Sequence, residues 1–189
     1  MTNNTAYFDN KYDGTNIKPT CLYNFGSVVK TRITLRNDTG IFTSVIAILS
    51  PALLAFGNEI ISLDITINLK LAATSVTDTV FKNFKTAMSD NERAIAKALG
   101  GDSTPAYLSF YPHKIAEYYE ASKIDMTVLT SRIFDAEANK VALGVDHTAE
   151  LKAFENLWTL ALADQQLQLG KVAGGRIARS TNRIAVEKH

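Results

Sequence analysis

The sequence has few of the residues that cross-link or constrain a chain. Its 189 residues include one cysteine, Cys21, and four prolines. A single cysteine excludes an intramolecular disulfide and leaves no cysteine pair to hold zinc. The net charge of +1 gives no general electrostatic reason for a nucleic-acid or membrane partner. A hydrophobic content of 46% is enough for a sizeable core in one domain, with or without an appendage.

Charge is also missing from one long internal stretch, because residues 39–58 include no Asp, Glu, Lys or Arg. A membrane-spanning helix needs about 20 mostly apolar residues. Pro51, two glycines and several hydroxyl side chains interrupt this stretch, so a buried or interfacial segment is favoured over a membrane span. Residues 41–57 remain the basis of one alternative, a helical pore-forming protein that conceals an apolar element.

The first 25 residues are polar and aromatic without a regular period, and we predict that they form an extended arm. Each aromatic ring gains about 1.5 kcal/mol or more from burial, so a fully solvated tail is disfavoured. We expect the arm to lie on another surface, such as that of a neighbouring subunit. Its interface candidates are Tyr7, Phe8, Tyr12, Tyr23 and Phe25.

Two segments alternate between apolar and polar residues, which predicts β-strands. From Ile61 to Leu71 every odd-numbered residue is apolar and every even-numbered residue is polar. Residues 29–36 alternate in the same way and end at turn-forming residues 37–40. The predicted β-containing segment covers residues 26–74. Residues 41–50 supply a third strand, or the arm or another chain completes the sheet.

From Thr77 onward the apolar residues recur with a helical period. A first helix ends at Gly100-Gly101 and is expected to break near Ser89. A second helix is predicted from residue 112 to 143, and a third from residue 146 or 148 to about 185. The predicted fold is therefore α+β and predominantly α. An antiparallel bundle covers residues 77–185, within a C-terminal segment 75–189 that ends in a basic tail.

No motif for catalysis or cofactor binding is present in the sequence. A phosphate-binding glycine loop, a dinucleotide fingerprint and a metalloprotease helix are all absent. His113 and Glu117 have a spacing that could share a metal, but one histidine and one carboxylate are too few ligands. We therefore predict no catalytic, cofactor-binding or metal residues, no cofactor, and a protein that is not an enzyme.

Two groups of residues are candidates for contacts with partners. Arginines near the C-terminus would share one face of a continued helix, where they meet an acidic protein surface or simply solvent; they are Arg176, Arg179 and Arg183. They are too few to predict a specific nucleic-acid site. Tyrosines around the two central prolines form either an interface or the capping layer of the bundle; they are Tyr107, Tyr111, Tyr118 and Tyr119.

The C-terminal part of the chain resembles an uncharacterised family of bacterial helical proteins. The resemblance covers residues 110–183 and rests on two stretches, FYPHKIAEYY at 110–119 and GKVAGGRIARS at 170–180. Members of that group have an aromatic-Pro step and a Glu-Tyr pair, followed by two long helices that end in a similar segment of small residues with Arg, Ser and Thr. The resemblance implies a helical hairpin and no catalytic residue.

These observations favour a structural, self-assembling subunit of a homo-oligomeric ring, tube or particle. The arm and the strands would contact neighbouring subunits. The alternatives are a small protein-binding or adaptor module, and the pore-forming protein described above. The chain start lacks a basic stretch followed by an apolar one, so we expect a cytoplasmic protein or one exported without a classical signal; a membrane location is not expected.

Overall fold

The fold comes from a computed structural model that describes residues 17–135 and 145–187. Every regular element in these two ranges is a helix, so the prediction of a predominantly α protein is confirmed. The six helices are α1 (Pro19–Leu35), α2 (Thr43–Ala98), α3 (Pro105–Phe110), α4 (Ala116–Glu120), α5 (Met126–Asp135) and α6 (Val145–Glu187).

The predicted β element is wrong, because residues 61–71 lie in the middle of α2. A helical stripe is hidden within the alternating pattern. Leu49, Leu53, Phe56 and Leu63 are buried, and they follow one another at spacings of four, three and seven residues, which place them on one helix face. Leu63 belongs both to the alternating pattern and to this stripe. The packing of the stripe decides that the segment is a helix and not a strand.

The second predicted strand and the inner part of the predicted arm are also helical, since both lie in α1. Leu22 and Gly26 are buried, and Val29 and Ile33 continue the same helix face at half-buried positions. The predicted turn at residues 37–40 is present, with Gly40 at φ +75°. It connects two helices rather than two strands, and Asn37 Oδ1 accepts a hydrogen bond from the Phe42 amide at 2.7 Å.

Helix α2 includes residues that are unfavourable in a helix, namely several threonines and one internal proline. Thr66, Thr74, Thr77 and Thr79 each donate a hydroxyl hydrogen bond to the carbonyl four residues earlier, at 2.7–2.9 Å. Pro51 lies inside the helix, at a position where it removes one backbone donor. Packing must therefore supply most of the stability of this helix.

The chain divides into two compact units. Unit 1 contains the described residues 17–69 and 169–187, and unit 2 contains the described residues 70–135 and 145–168. Unit 1 has a small buried cluster made by Leu22, Leu49, Leu53, Phe56 and Val186. Two close approaches belong to unit 1: a Cβ added at Gly57 would lie 2.7 Å from Tyr23, and one at Gly26 would lie 2.6 Å from Leu53.

Unit 2 has a larger core to which all its helices contribute. Residues from the C-terminal part of α2, from the short helices and from α6 share one buried cluster, which includes Phe84, Met88, Ile95, Tyr111, Met126, Leu129 and Trp158. The Phe84 ring packs edge-on against Tyr118 and Phe154, with centroids 5.8 and 5.6 Å away. The predicted helical stripe after Thr77 is thus confirmed as a core face.

Three predicted helix boundaries in unit 2 were tested by the structure. Helix α2 ends at Gly100-Gly101 as predicted, with φ of +85° and +123°, but it does not break near Ser89. The single long helix predicted over residues 112–143 is wrong as a continuous helix. Between residues 112 and 135 the chain is helical only in α4 and α5, with interruptions before each of them. Asp125 accepts hydrogen bonds from the Ser122 amide and hydroxyl, which favours a turn at that point.

Candidate interaction surface

The α2 segment of unit 1 exposes a stripe of large apolar side chains. Leu54, Ile61, Ile65 and Leu69 are 65%, 62%, 55% and 48% exposed. We call these four residues the α2 stripe. Ile61 and Ile65 each lie two residues from buried Leu63, which places them about 200° from it around the helix. The stripe therefore lies on the side of α2 opposite its packed face.

An amphipathic surface helix normally has one apolar face and one polar face. In unit 1, helix α2 is apolar on both sides, and only one side is covered within unit 1. Charged side chains are also sparse, because residues 39–58 carry none and residues 59–69 add only Glu59 and Asp64. Contiguous exposed apolar surface of this kind marks sites of contact with proteins or membranes.

Helix α2 is also the one described helix that is long and apolar enough to cross a membrane, judged by length and composition alone. Only 17% of its most apolar 18-residue window is buried. This observation identifies an apolar surface on α2.

Three of the four predicted tyrosine contacts lie in the core of unit 2. Tyr107, Tyr111 and Tyr118 are almost completely buried. Their hydroxyls donate to Glu92 Oε1, the Met88 carbonyl and the Phe110 carbonyl at 2.7, 2.7 and 2.5 Å. Burial raises the pKa of all three phenols well above the ordinary value. Each ring is therefore a packing group with a satisfied polar end.

The remaining aromatic candidates have different surroundings. Tyr119 is 60% exposed, and its hydroxyl shares a hydrogen bond of 2.5 Å with Ser89. In unit 1, Tyr23 is half-buried against Gly57, and Phe25 is partly exposed. The other three predicted arm aromatics, Tyr7, Phe8 and Tyr12, lie outside the described residues.

The three arginine candidates lie on helix α6, which continues through Gly174-Gly175. Arg176 is exposed and Arg179 is half-buried. Arg183 Nε lies 2.5 Å from Glu187 Oε1, and its Nη1 lies 3.3 Å from the Ile17 carbonyl. Arg183 is therefore already engaged within unit 1, which leaves Arg176 as the most accessible of the three.

Unit 2 also contains an open cleft of about 430 Å³, lined by residues from α4, α5 and the segments beside them. Within it, Arg132 Nη1 donates to Glu117 Oε1 at 2.6 Å, and His113 is exposed beside them. Glu117 Oε2 is buried and has no hydrogen-bond partner among the described residues. The side chain of Glu117 is thus held by Arg132 through one carboxylate oxygen, and its other oxygen is buried.

The cleft does not have the ligands for a metal site. Among the described residues no group of three or more His, Cys, Asp or Glu side chains could hold a metal ion. Asp125 lies at the cleft edge, where hydrogen bonds from the Ser122 hydroxyl and amide lower the pKa of its carboxyl. That carboxylate therefore acts as a turn-stabilising group.

The alternating pattern from Ile61 to Leu71 concealed the α2 stripe as an exposed surface. It placed Ile61, Ile65 and Leu69 on a buried strand face together with Leu63. The sequence contained a signal of this surface. A helix whose apolar residues follow both a two-residue alternation and a helical period is apolar around its whole circumference. Helices of that type are buried in a larger assembly or in a membrane.

No family model matches this chain, and neither the curated proteins nor the solved structures include a match to it.

Proposed function

We propose that this protein is a structural subunit that assembles with copies of itself through the apolar surface of unit 1. The α2 stripe carries this proposal. Its four side chains are about half to two-thirds exposed, although they lie on a helix whose opposite face is packed. Burial of each such side chain against another subunit would contribute on the order of 1.5 kcal/mol or more.

Other features of unit 1 support a protein partner. Its buried cluster is small, and exposed apolar residues also occur on α1 and on the C-terminal part of α6; they include Val28, Leu35, Ile177 and Ile184. Interfaces of obligate homo-oligomers resemble a divided domain core. In this proposal the helices of residues 77–185 form the antiparallel bundle predicted from the sequence, and unit 1 supplies the contacts made by the α2 stripe.

The decisive measurement is the native mass of the protein across a range of concentrations, by light scattering on a sizing column. We expect a mass several times 20.7 kDa for the native sequence. A double variant, Ile61→Lys with Ile65→Lys, should lower the mass toward that of the monomer, because two charges cannot be buried in an apolar interface without a large cost.

A matched control is Asp64→Lys, which adds positive charge to the same turn of α2 outside the stripe. This variant should assemble like the native protein. Circular dichroism should show that all three proteins keep their helices, since these positions are exposed in the monomer. A native protein that is monomeric at every concentration would rule out self-assembly as an intrinsic property.

A second candidate, a membrane-active protein, is favoured by one observation: α2 is apolar and long enough to cross a bilayer and is mostly exposed in its most apolar part. Pro51 and the charged residues of the apolar half of the helix, Glu59, Asp64 and Lys70, count against a lipid environment. Dye release from liposomes separates the candidates, because a purely structural subunit leaves vesicles intact and a membrane-active protein empties them.

A further inference from the structure

Helix α6 has a second helix-packing seam that nothing in the described part of the chain covers. Starting at Leu160, exposed residues recur with alternating steps of three and four, and none of them is charged; they are Leu160, Ala163, Leu167, Gly170, Gly174, Ile177, Thr181 and Ile184. The opposite side of α6 contains the buried residues Trp158, Ala161, Gln168 and Val172. Alternating steps of three and four are the a and d positions of a heptad, whose natural partner is another helix.

Two glycines on this seam are not explained by packing within the chain. A glycine inside a helix costs about 0.5–1 kcal/mol relative to alanine. Gly26, Gly57 and Gly175 have a reason to be glycine, because an added Cβ would lie 2.6–3.1 Å from a neighbouring side chain. Gly170 and Gly174 have nothing within 4 Å of an added Cβ. They lie four residues apart on the seam, where glycines allow a second helix to approach closely.

We propose that this α6 seam pairs with the α6 seam of a second copy of the chain, in antiparallel orientation. The pairing rests on the proposed self-assembly and names one of its contacts. In antiparallel pairs each a position faces a d position of the partner helix. The pairing places Leu160 opposite Ile177 of the second copy, so that two large residues meet. It also places Leu167 opposite Gly170, so that a large residue meets a glycine.

Charged residues favour this register over the registers that are shifted by one heptad. Asp164 and Lys171 are exposed and flank the seam on the same side, one heptad apart. In the proposed register Asp164 faces Lys171 of the second copy, twice by symmetry. A shift of one heptad in one direction places Asp164 against Asp164, and a shift in the other places Lys171 against Lys171. A parallel, in-register pair gives neither residue a partner of opposite charge.

Charge reversal tests the pairing by sedimentation equilibrium. We expect Asp164→Lys and Lys171→Asp each to weaken association by about tenfold or more, since each replaces two attractions with two repulsions. The double variant Asp164→Lys with Lys171→Asp should restore association. The two residues are about 10 Å apart along one helix, so the rescue reports a contact between chains. Arg176→Asp makes the same charge change off the seam and should have no effect.

Cross-linking reads the register independently of other interfaces. In a Cys21→Ser background, a mixture of Leu160→Cys chains with Ile177→Cys chains should be joined rapidly by a short bismaleimide. Leu160→Cys chains alone should react far more slowly. Rapid cross-linking of Leu160→Cys chains alone would indicate a parallel pair and overturn the proposal.

The outcomes separate this proposal from the one on which it rests. A native protein that is monomeric at all concentrations overturns both. A native protein that assembles, with single and double charge variants that associate equally well, overturns the α6 pairing and leaves self-assembly standing. Single and double variants that are all equally weakened also overturn the proposed register, because the double variant should recover.

Discussion

The two units of this protein bury apolar side chains to different extents. Among the described residues, the buried cluster of unit 2 has thirteen members, whereas that of unit 1 has five. Unit 1 instead exposes large aliphatic residues on α1, on the unpacked face of the α2 segment and on α6. Unit 2 also has polar contacts inside its core, including the Tyr111 hydroxyl bond to the Met88 carbonyl at 2.7 Å.

This difference indicates that the two units have different roles: unit 2 is stable by itself, and unit 1 carries an interaction surface. A unit with a large, hydrogen-bonded core stabilises itself, because dispersion and burial outweigh the loss of chain entropy. A unit with a small core and an apolar exterior gains stability when a partner covers it, and that gain depends on concentration. The predictions below test this contrast, beginning with the largest expected effect.

The largest difference is expected between substitutions of two nearby residues of unit 1, Leu63 and Ile65. Leu63→Asp places a charge in a buried site and should cost several kcal/mol, enough to unfold unit 1. Ile65→Asp changes an exposed site and should leave the helices intact while it weakens assembly. Circular dichroism and native mass measure the two effects. Equal unfolding by both variants would mean that both residues face the same way, as in a strand.

A second large effect should come from the core of unit 2. Phe84→Ala removes a completely buried ring that touches Tyr118 and Phe154, and should lower the free energy of unfolding by about 3–5 kcal/mol. The loss should not depend on protein concentration, because this core lies within one chain. Urea unfolding followed by the fluorescence of the single tryptophan, Trp158, measures it. A loss that changed strongly with concentration would show that Phe84 also contributes to contacts between subunits.

Alkaline pH should destabilise unit 2 through its buried phenols. Burial raises the pKa of Tyr107, Tyr111 and Tyr118, so above the ordinary value of about 10 the unfolded chain loses protons that the folded chain keeps. Stability that is fully present below pH 10 should therefore fall as pH rises, by about 1.4 kcal/mol per tyrosine per pH unit. Urea unfolding between pH 9 and about 11.5 measures the slope. Phenol ionisation near pH 10 with unchanged helicity would contradict it.

The smallest expected effect is a difference in stability between alanine substitutions of two helical glycines, Gly57 and Gly174. Gly57→Ala brings a Cβ to 2.7 Å from Tyr23 and should destabilise unit 1 by about 1 kcal/mol or more. Gly174→Ala has open space around it and should stabilise the monomeric chain by about 0.5–1 kcal/mol. Thermal unfolding at low concentration measures both changes. Destabilisation of the monomer by Gly174→Ala would show that the chain itself needs that glycine.

The sequence was most informative where one period stood alone. After Thr77 the apolar residues have only a helical spacing, and Phe84, Met88, Ile95 and Leu99 are buried as predicted. At the start of α3, Pro105 lies in the first helical turn and the Thr104 hydroxyl accepts a hydrogen bond from the Tyr107 amide at 3.2 Å. Local rules succeed here because no other period competes with them.

The sequence was misleading where two periods overlapped. Residues 61–71 satisfy both a strand alternation and a helix face through Leu63, and local preference favours neither clearly. The same overlap concealed the candidate site, because a strand would bury Ile61 and Ile65, whereas the helix exposes them. A distinction of this kind depends on which neighbours the segment meets, and these are remote in the sequence.

The amino-acid sequence by itself determined that the protein is mainly helical, that Gly100-Gly101 ends a helix, and that no disulfide forms within the chain. These properties follow from backbone preference, from spacing and from composition. Tertiary structure alone decided that residues 61–71 are helical, that three tyrosines are core residues and that the α2 stripe is exposed. Burial is set by contacts between distant segments, which a local pattern does not contain.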